Sequence, residues 1–242
     1  MFKTTFALLI ILPFAIVRPA LSEASGATPP GRVEWAQTNT ETVDRTLSMP
    51  AGGTLKLKTF SGRVHITGGP GDQVIIHAVR RAKQDRLDDI KLEITQSGNT
   101  IEVDANHRVV ERRNDNVVET DLEIQVPSRT RLDIKTFSAP VTVIGVNADQ
   151  NIDGFSSSIT VESNEWDDHN LDVNTFSGGV RLRLPASARG NIDFNTFSGS
   201  FESDLPVTMS NSSRRNFRGS LNGGGNGDLR LKTFSGDVSI RK

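Results

Sequence analysis

The 242-residue chain contains no cysteine, which excludes disulfide frameworks, zinc–cysteine sites, iron–sulfur clusters and thiol nucleophiles. Tyrosine is also absent and there are only two tryptophans, so the residues on which aromatic sugar-binding surfaces usually depend are scarce. The 28 basic and 29 acidic side chains leave a formal net charge of −1, without the basic excess of a nucleic-acid-binding protein. We therefore expect no nucleic-acid partner.

The one long apolar run lies at the N-terminus, from Phe6 to Val17, and follows Lys3. Small residues come next at Ala20 and Ser22, in the pattern of a signal-peptide cleavage site. We predict that residues 1–22 are a secretory signal peptide and that residues 23–42 form a flexible lead-in. The mature chain is then an exported protein without a membrane span, located in the periplasm, at the cell surface or outside the cell.

A phrase built around Thr-Phe-Ser recurs along the chain with a period of roughly 20 residues, which is typical of a solenoid. Clear copies lie at 55–66, 132–143, 171–182, 192–203 and 229–240, and weaker copies lie at 151–161 and around Phe217. The copies are marked by the phenylalanines Phe60, Phe137, Phe155, Phe176, Phe197 and Phe234, and four of them by the glycines Gly62, Gly178, Gly199 and Gly236.

Each copy contains two short alternating apolar stretches, such as Leu171 and Val173 before Phe176 and Val180 and Leu182 after it. The two stretches differ in parity, so one flat strand cannot hold both on one face. This predicts an all-β fold, a right-handed parallel β-solenoid with rungs of roughly 20 residues. We assign an N-terminal β region to residues 43–127, containing the first rung, and the repeat solenoid to residues 128–242.

The phrase also predicts side-chain directions. The phenylalanines share their parity with the apolar residues that follow, so we expect a buried phenylalanine stack. The glycine two positions later suits a turn that a side chain would crowd. If rungs stack in chain order, Arg183 lies between Glu162 and Asp204. A further outward column, formed by Asp133, Asn151, Asp172 and Asp193, is either a solvated acidic stripe or a weak cation site.

Residues 69–127 lack the phrase and form an irregular β segment. The pattern predicts strands at 74–79 and 117–126, a helical turn within 82–89, and a hairpin from strands 90–95 and 100–104. This segment consists either of degenerate rungs or of a small antiparallel sheet that joins two solenoid pieces.

The sequence offers little catalytic chemistry: we predict no catalytic, cofactor-binding or metal-binding residues. The richest loop is Glu165, Trp166, Asp167, Asp168 and His169, which combines carboxylates, an indole and an imidazole. Such a loop has the groups to bind a divalent cation, to act as acid and base, or to contact a sugar through Trp166. The simpler interpretation is an exposed turn in which Trp166 folds over the side of the solenoid.

The sequence resembles a bacterial putative-adhesin family, an exported domain-of-unknown-function family of β-strand-repeat proteins. The resemblance rests on a strand, a proline, a turn and the phrase L-x-h-x-T-x-S-G-x-V-x-h-x-G at 47–68 and 124–145, and on the later repeats. It implies an all-β solenoid of the cell envelope, with no catalytic residues to transfer to this chain.

We therefore expect a non-enzymatic envelope scaffold or adhesin-like surface for an unknown protein or glycan partner. One alternative is a polysaccharide-active β-helix enzyme, which would need clustered carboxylates and a lysine or arginine in one groove. Another is a self-assembling structural protein, because the chain ends at Lys242 directly after a predicted strand, with no visible cap.

Overall fold

A computed structural model describes residues 38–109, 117–166, 168–213 and 215–242, which belong to one compact unit. The predicted signal peptide and most of the predicted lead-in lie outside these residues. The first strand begins at Asn39, within the segment predicted as lead-in. The described residues contain nineteen strands and one short helix, so the predicted all-β class is confirmed.

The strands are, in chain order, β1 (Asn39–Ser48), β2 (Thr54–Thr59), β3 (Ser61–Gly69), β4 (Gln73–Ala82), β5 (Ile90–Ser97), β6 (Thr100–Arg108), β7 (Glu119–Pro127), β8 (Arg131–Thr136), β9 (Val141–Ile144), β10 (Gln150–Ser156), β11 (Ile159–Glu162), β12 (Leu171–Ser177), β13 (Val180–Arg183), β14 (Gly190–Thr196), β15 (Phe201–Ser203), β16 (Val207–Ser212), β17 (Asn216–Leu221), β18 (Asp228–Ser235) and β19 (Val238–Arg241). Helix α1 (Gln84–Asp89) lies between β4 and β5.

Two mixed sheets are formed. Sheet I has ten strands in the order β16-β17-β14-β18-β12-β10-β8-β2-β6-β5, and sheet II has nine in the order β1-β4-β7-β3-β9-β11-β13-β19-β15. Each copy of the repeated phrase supplies one strand to sheet I, turns just after its phenylalanine, and supplies the next strand to sheet II. These strands pair in parallel with identical positions in register, as for Leu171 with Leu229 and Val180 with Val238.

The inward positions of both sheets form one continuous core. In sheet I, Val173 lies in register between Ile152 and Leu231, and all three side chains are fully buried. In sheet II, Val180 and Leu182 belong to equivalent buried columns. Burial of these aliphatic columns from both sheets holds the repeats together, because each repeat alone has only one apolar face on each strand.

The irregular segment contributes to the same two sheets. Strands β6 and β7 run parallel to β2 and β3 and act as a degenerate rung. Strands β1 and β4 extend sheet II in antiparallel fashion, and β5 pairs with β6 as the predicted hairpin. The predicted strands, helical turn and hairpin are therefore confirmed, and the antiparallel strands extend the existing sheets instead of forming a separate one.

The repeats do not stack in chain order. The last copy, β18 and β19, lies between β12–β13 and β14–β15. Beyond β14, sheet I ends in the antiparallel hairpin of β16 and β17, so the final strand before Lys242 is an interior strand. The prediction that the last rung is an uncapped end of the array, on which self-assembly was based, is wrong.

The inserted copy also changes the charged column on sheet II. Arg183 Nη1 lies 3.2 Å from Glu162 Oε1, as predicted. The predicted contact with Asp204 is wrong, because Arg241 lies opposite Arg183 and its Nη1 contacts Asp204 Oδ1 at 2.9 Å. On sheet I, Arg230 is likewise in register between Asp172 and Asp193 and interrupts the predicted acidic column.

Candidate functional site

The phenylalanines of the repeated phrase lie on the outer face of sheet I, not in the core. Phe137, Phe155, Phe176, Phe197 and Phe234 have 44–62% of their surface exposed, and Phe60 is half-buried. The predicted buried stack is wrong because the change of parity comes after the phenylalanine. Leu171, Val173 and Thr175 all point inward, so the next residue must point outward.

The six outward rings form one continuous row, which we call the phenylalanine ladder (Phe60, Phe137, Phe155, Phe176, Phe234 and Phe197, in spatial order). Neighbouring ring centroids are 4.6–5.0 Å apart and the rings are within 6° of parallel. The five spacings give a length of about 24 Å. Because the strands are in register, this row follows directly from the recurrence of phenylalanine at one position.

A threonine precedes five of the six ladder phenylalanines and fixes the corner. Thr233 Oγ1 donates a hydrogen bond to the carbonyl of Gly236 (2.9 Å), and Thr136 Oγ1 bonds the carbonyl of Ala139 in the same way (3.2 Å). The threonines at this position are buried in the five clear copies: Thr59, Thr136, Thr175, Thr196 and Thr233. Because side chains alternate along a strand, a threonine that points inward and bonds to the turn places the next residue, the phenylalanine, on the outer face.

The predicted glycine corners are crowded, as expected. A Cβ on Gly178 would lie 2.2 Å from the carbonyl oxygen of Ser157, and one on Gly62 would lie 2.1 Å from that of Thr120. Both have positive φ, of +139° and +106°. Gly199 and Gly236 are equally close to backbone oxygens of neighbouring copies. At these four corners glycine lets adjacent repeats approach at the strand spacing, whereas Ala139 and Ser157 occupy the same position in the other two copies.

A polar column borders the ladder, two positions before each phenylalanine. The ladder and this column line an open groove with a volume of about 1030 Å³. In spatial order the column reads Lys58, Lys135, Asp153, Asn174, Lys232 and Asn195. Lys232 lies in register between two asparagines, and among the described residues no ion-pair partner contacts it or Lys135. The groove therefore combines an apolar floor with the ammonium group of Lys232, which has no carboxylate beside it in register, whereas Lys135 lies next to Asp153 and Lys58 next to Asp104.

Lys58 differs from the other two lysines. Its Nζ donates a hydrogen bond to Glu102 Oε1 at 2.8 Å. This bond and the charge of Glu102 raise the pKa of Lys58, and the same contact lowers the pKa of Glu102. Lys58 is therefore held as a cation but is already partnered at one end of the ladder.

The predicted ligand loop lies elsewhere, between β11 and β12. Trp166 and His169 are buried and their ring centroids are 4.2 Å apart, so the indole belongs to the core and has no face available for a sugar. Glu165 and Asp168 are exposed and accept hydrogen bonds from Asn147 and Asn226. Asp167 lies outside the described residues. The predicted exposed turn is confirmed for Glu165 and Asp168, but Trp166 is buried in the core instead of lying over the side of the solenoid, and the predicted sugar contact through Trp166 is wrong.

A second, polar cavity of about 630 Å³ adjoins this loop, and Glu165, Asp168 and His169 line it with Arg129 and Arg131. Within the described ranges, His, Asp and Glu side chains form no group of three or more suited to a metal ion. Over the same part of the chain, no helix has the length and apolarity needed to cross a membrane.

Sequence reasoning found the six phenylalanines but placed them on the wrong side of the strand. The signal that would have placed them correctly was the strict alternation through threonine, which continues the inward positions up to the corner. Phe217, which marks a weak copy of the phrase, is a different case. It lies buried in β17, and its ring contacts those of Phe194 and Phe201 at the end of the core.

The model of the Toastrack DUF4097 family matches residues 36–241. No curated protein matches the chain. A putative cell adhesion protein from Clostridium sporogenes has a similar structure, with a TM-score of 0.62 and 12% identity over 83% of this chain and 99% of that one.

Two further solved structures match more weakly. A putative adhesin from Parabacteroides distasonis gives a TM-score of 0.31 at 12% identity, over 83% of this chain and 70% of that one. A putative adhesin from Bacteroides fragilis gives a TM-score of 0.23 at 8% identity, over 83% of this chain and 97% of that one. The clostridial structure shares the fold, and the match over residues 36–241 shows that the chain belongs to the Toastrack DUF4097 family.

Proposed function

We propose that this protein is an exported, non-enzymatic binding module of the cell envelope, and that the outer face of sheet I is its binding surface. Its parallel strand pairs act as the rungs of a right-handed β-solenoid, which provides a rigid support. The observation that carries the proposal is the phenylalanine ladder: six large apolar side chains in one exposed row. Contiguous exposed apolar surface of this kind marks interaction sites in soluble proteins.

The location of the ladder supports the proposal. Packing within the core does not require phenylalanine at an outward position, since the buried columns are complete without it. Exposure of six half-buried rings to water is unfavourable. Polar residues that favour strands, such as threonine, would form the same strands without this cost. A partner that covers the ladder would explain why these positions are occupied by phenylalanine.

Export is supported by the N-terminal sequence pattern, and an adhesin-like role by the fold shared with the clostridial putative cell adhesion protein. Location in the periplasm, on the surface or outside the cell follows from the same proposal. A polysaccharide-active enzyme is less well supported, because the polar column beside the ladder contains one carboxylate, that of Asp153, and not a cluster of them.

The test is to fractionate producing cells and then to mix the purified protein with isolated envelopes. We expect the processed protein in an exported fraction, and we expect it to sediment with envelopes. The variant Phe155→Ser/Phe176→Ser should lose most of this sedimentation, whereas Ile75→Ser, which removes an exposed apolar side chain from sheet II, should not. Equal sedimentation of all three proteins would exclude the ladder as the binding surface.

A further inference from the structure

The arrangement of the rings restricts the chemistry of a partner. Each interior ring is stacked on two neighbours with interplanar angles of 2–6°, so both of its faces are covered. Only the ring edges point to solvent. Sugars and cations bind aromatic residues through the ring face, where the π electrons concentrate negative charge. The ladder is therefore poorly suited to a glycan or to a cationic group along most of its length.

The exposed edges favour a different ligand. Ring edges are apolar C–H groups that carry a small positive charge. Lys135 and Lys232 add two full positive charges beside the ladder, and no carboxylate lies in register next to Lys232. Asp153 lies in register beside Lys135, and Asp104 beside Lys58, so the positive charge of the groove is concentrated at Lys232. An apolar group with a negative end therefore complements the groove in both hydrophobicity and charge.

The shape of the groove specifies the apolar group. The floor is one ring wide and crosses the strands, and it measures about 24 Å along its five ring-to-ring spacings. An acyl chain of a membrane lipid spans one leaflet, roughly half of the ~30 Å hydrocarbon core. Such a chain fits along the ladder with length remaining for a head group beside a lysine.

We propose that the phenylalanine ladder binds a single anionic amphiphile, with a linear acyl chain lying along the ring edges and its anionic head group at Lys232. This deepens the function proposed above and rests on it, because it names the class of ligand for the same surface. Each added CH₂ in the chain should strengthen binding about twofold, since an open groove buries only one side of the chain and full burial gives about fourfold.

The experiment is a fluorescence or calorimetric titration of the purified, exported protein with monomeric lysophosphatidylglycerol of 10, 12 and 14 acyl carbons, below the concentration at which each forms micelles. Lysophosphatidylcholine of equal chain length is the zwitterionic probe, and glycerol phosphate supplies the head group alone. We expect affinity to rise with chain length, the anionic lipid to bind up to about fivefold more tightly than the zwitterionic one, and glycerol phosphate not to bind.

Two variants separate the contributions of chain and charge. Phe155→Ser/Phe176→Ser interrupts the floor and should weaken both lipids at least tenfold. Lys232→Gln is an exposed, conservative change that should abolish the preference for the anionic lipid and leave the affinity for the zwitterionic lipid unchanged. Lys56→Gln lies on the same face outside the groove and is the matched control, with no effect expected. Circular dichroism verifies that each variant is folded.

The outcomes distinguish this inference from the function on which it rests. If neither lipid binds, or if binding ignores the Phe155→Ser/Phe176→Ser change, the amphiphile proposal fails. If the protein binds phosphatidylglycerol vesicles but no monomeric lipid, the ligand is a membrane surface and the proposal is again overturned. If the amphiphile proposal fails but Phe155→Ser/Phe176→Ser still abolishes sedimentation with envelopes, the proposed binding function stands. If this variant sediments like the unchanged protein, the binding function and the amphiphile proposal both fail.

Discussion

Phe234 stacks between Phe176 and Phe197, with ring centroids 4.6 and 4.8 Å away, although Phe197 precedes it in the chain. The chain first forms β14 and β15, then turns back through the β16–β17 hairpin against the far side of β14. The final copy then pairs with β12 on one side and with β14 on the other. The C-terminal repeat therefore connects two parts of the molecule that do not pair directly with each other.

Removal of this repeat provides the first prediction. A chain ending at Gly227 lacks β18 and β19, which lie between the β12–β13 and β14–β15 pairs. We expect it to lose the cooperative urea unfolding transition seen for the full chain by circular dichroism, because both neighbours lose a buried face. If the last copy were a terminal rung, its removal would leave a shorter stack that still unfolds cooperatively, and that result would contradict the inserted order.

The period, the strands and the corner of each copy could be predicted because they are local. Alternation within Leu171–Ser177 and the crowded glycine after it determine where the strand lies and where it turns. The spatial order of the copies is not local. The copies are so similar that either β14 or β18 could pair with β12 in the same register. The β16–β17 hairpin lies on the far side of β14 and leaves the place beside β12 to β18, but its sequence lacks the repeated phrase.

The ladder shows a second limit of the sequence. Phenylalanine is assigned to cores by its hydrophobicity, and its parity matched the apolar residues beyond the corner. By polarity alone, Thr175 is expected on the outer face and Phe176 in the core. The structure shows the reverse, because Thr175 is buried and Phe176 is exposed. Hydrophobicity alone is therefore not a guide to side-chain direction at this position.

The two classes of phenylalanine should differ in their contribution to stability. Phe194 is fully buried in the core, and Phe194→Ala should cost ~3–5 kcal/mol. Phe176 is half-exposed and loses mainly its two stacking contacts, so Phe176→Ala should cost only ~1–2 kcal/mol. Urea titrations of both variants measure the difference. Equal costs would show that the ladder rings are packed as core residues.

Charge reversal on sheet II tests the register of the inserted copy. Arg183 faces Glu162 on one side and Arg241 on the other, so Arg183→Glu exchanges one repulsion for another and should cost little more than Arg183→Ala, within ~0–1 kcal/mol. Arg241 contacts both Glu202 and Asp204, so Arg241→Glu should cost more. The midpoints of urea unfolding in low salt, measured for the three variants, test this register. A clearly larger cost for Arg183→Glu would restore the chain-order register.

Asp121 should make the stability pH-dependent. Burial alone would raise the pKa of Asp121, but the hydrogen bond from Arg81 (2.9 Å) and the charges of Arg63 and Arg81 outweigh burial and lower this pKa. A carboxyl group with a lowered pKa in the folded state stabilises the protein above its unfolded pKa of about 3.8, and this contribution is lost as the pH falls through the lower, folded value.

We therefore expect Asp121→Asn to be less stable than the wild type at pH 7, with the difference shrinking as the pH drops below 4. Urea midpoints measured between pH 2 and pH 7 show this. Asp72→Asn, a change at an exposed residue, is the control and should follow the wild-type profile. A constant difference between Asp121→Asn and the wild type across this range would exclude ion pairing as the source of the effect.

Gly178 and Gly179 are adjacent but should respond very differently to alanine. A Cβ on Gly178 would lie 2.2 Å from the carbonyl oxygen of Ser157, and its φ of +139° is strained for any residue with a side chain. A Cβ on Gly179 meets only the carbonyl oxygen of Asp237, at an ordinary 3.5 Å. We expect Gly178→Ala to cost at least ~2–3 kcal/mol, and Gly179→Ala to be neutral or stabilising by under ~1 kcal/mol.

Urea unfolding of the two variants measures this contrast, and lipid titration adds a second readout. Gly178 is at the corner beside Phe176, so the shift of backbone needed to admit a Cβ moves the strand end that carries a central ring of the ladder. Gly178→Ala should therefore weaken ladder-dependent binding even under conditions where it remains folded, whereas Gly179→Ala should not. Similar stabilities for the two variants would mean that neighbouring corners are not in direct contact, and the in-register stacking that builds the ladder would have to be revised.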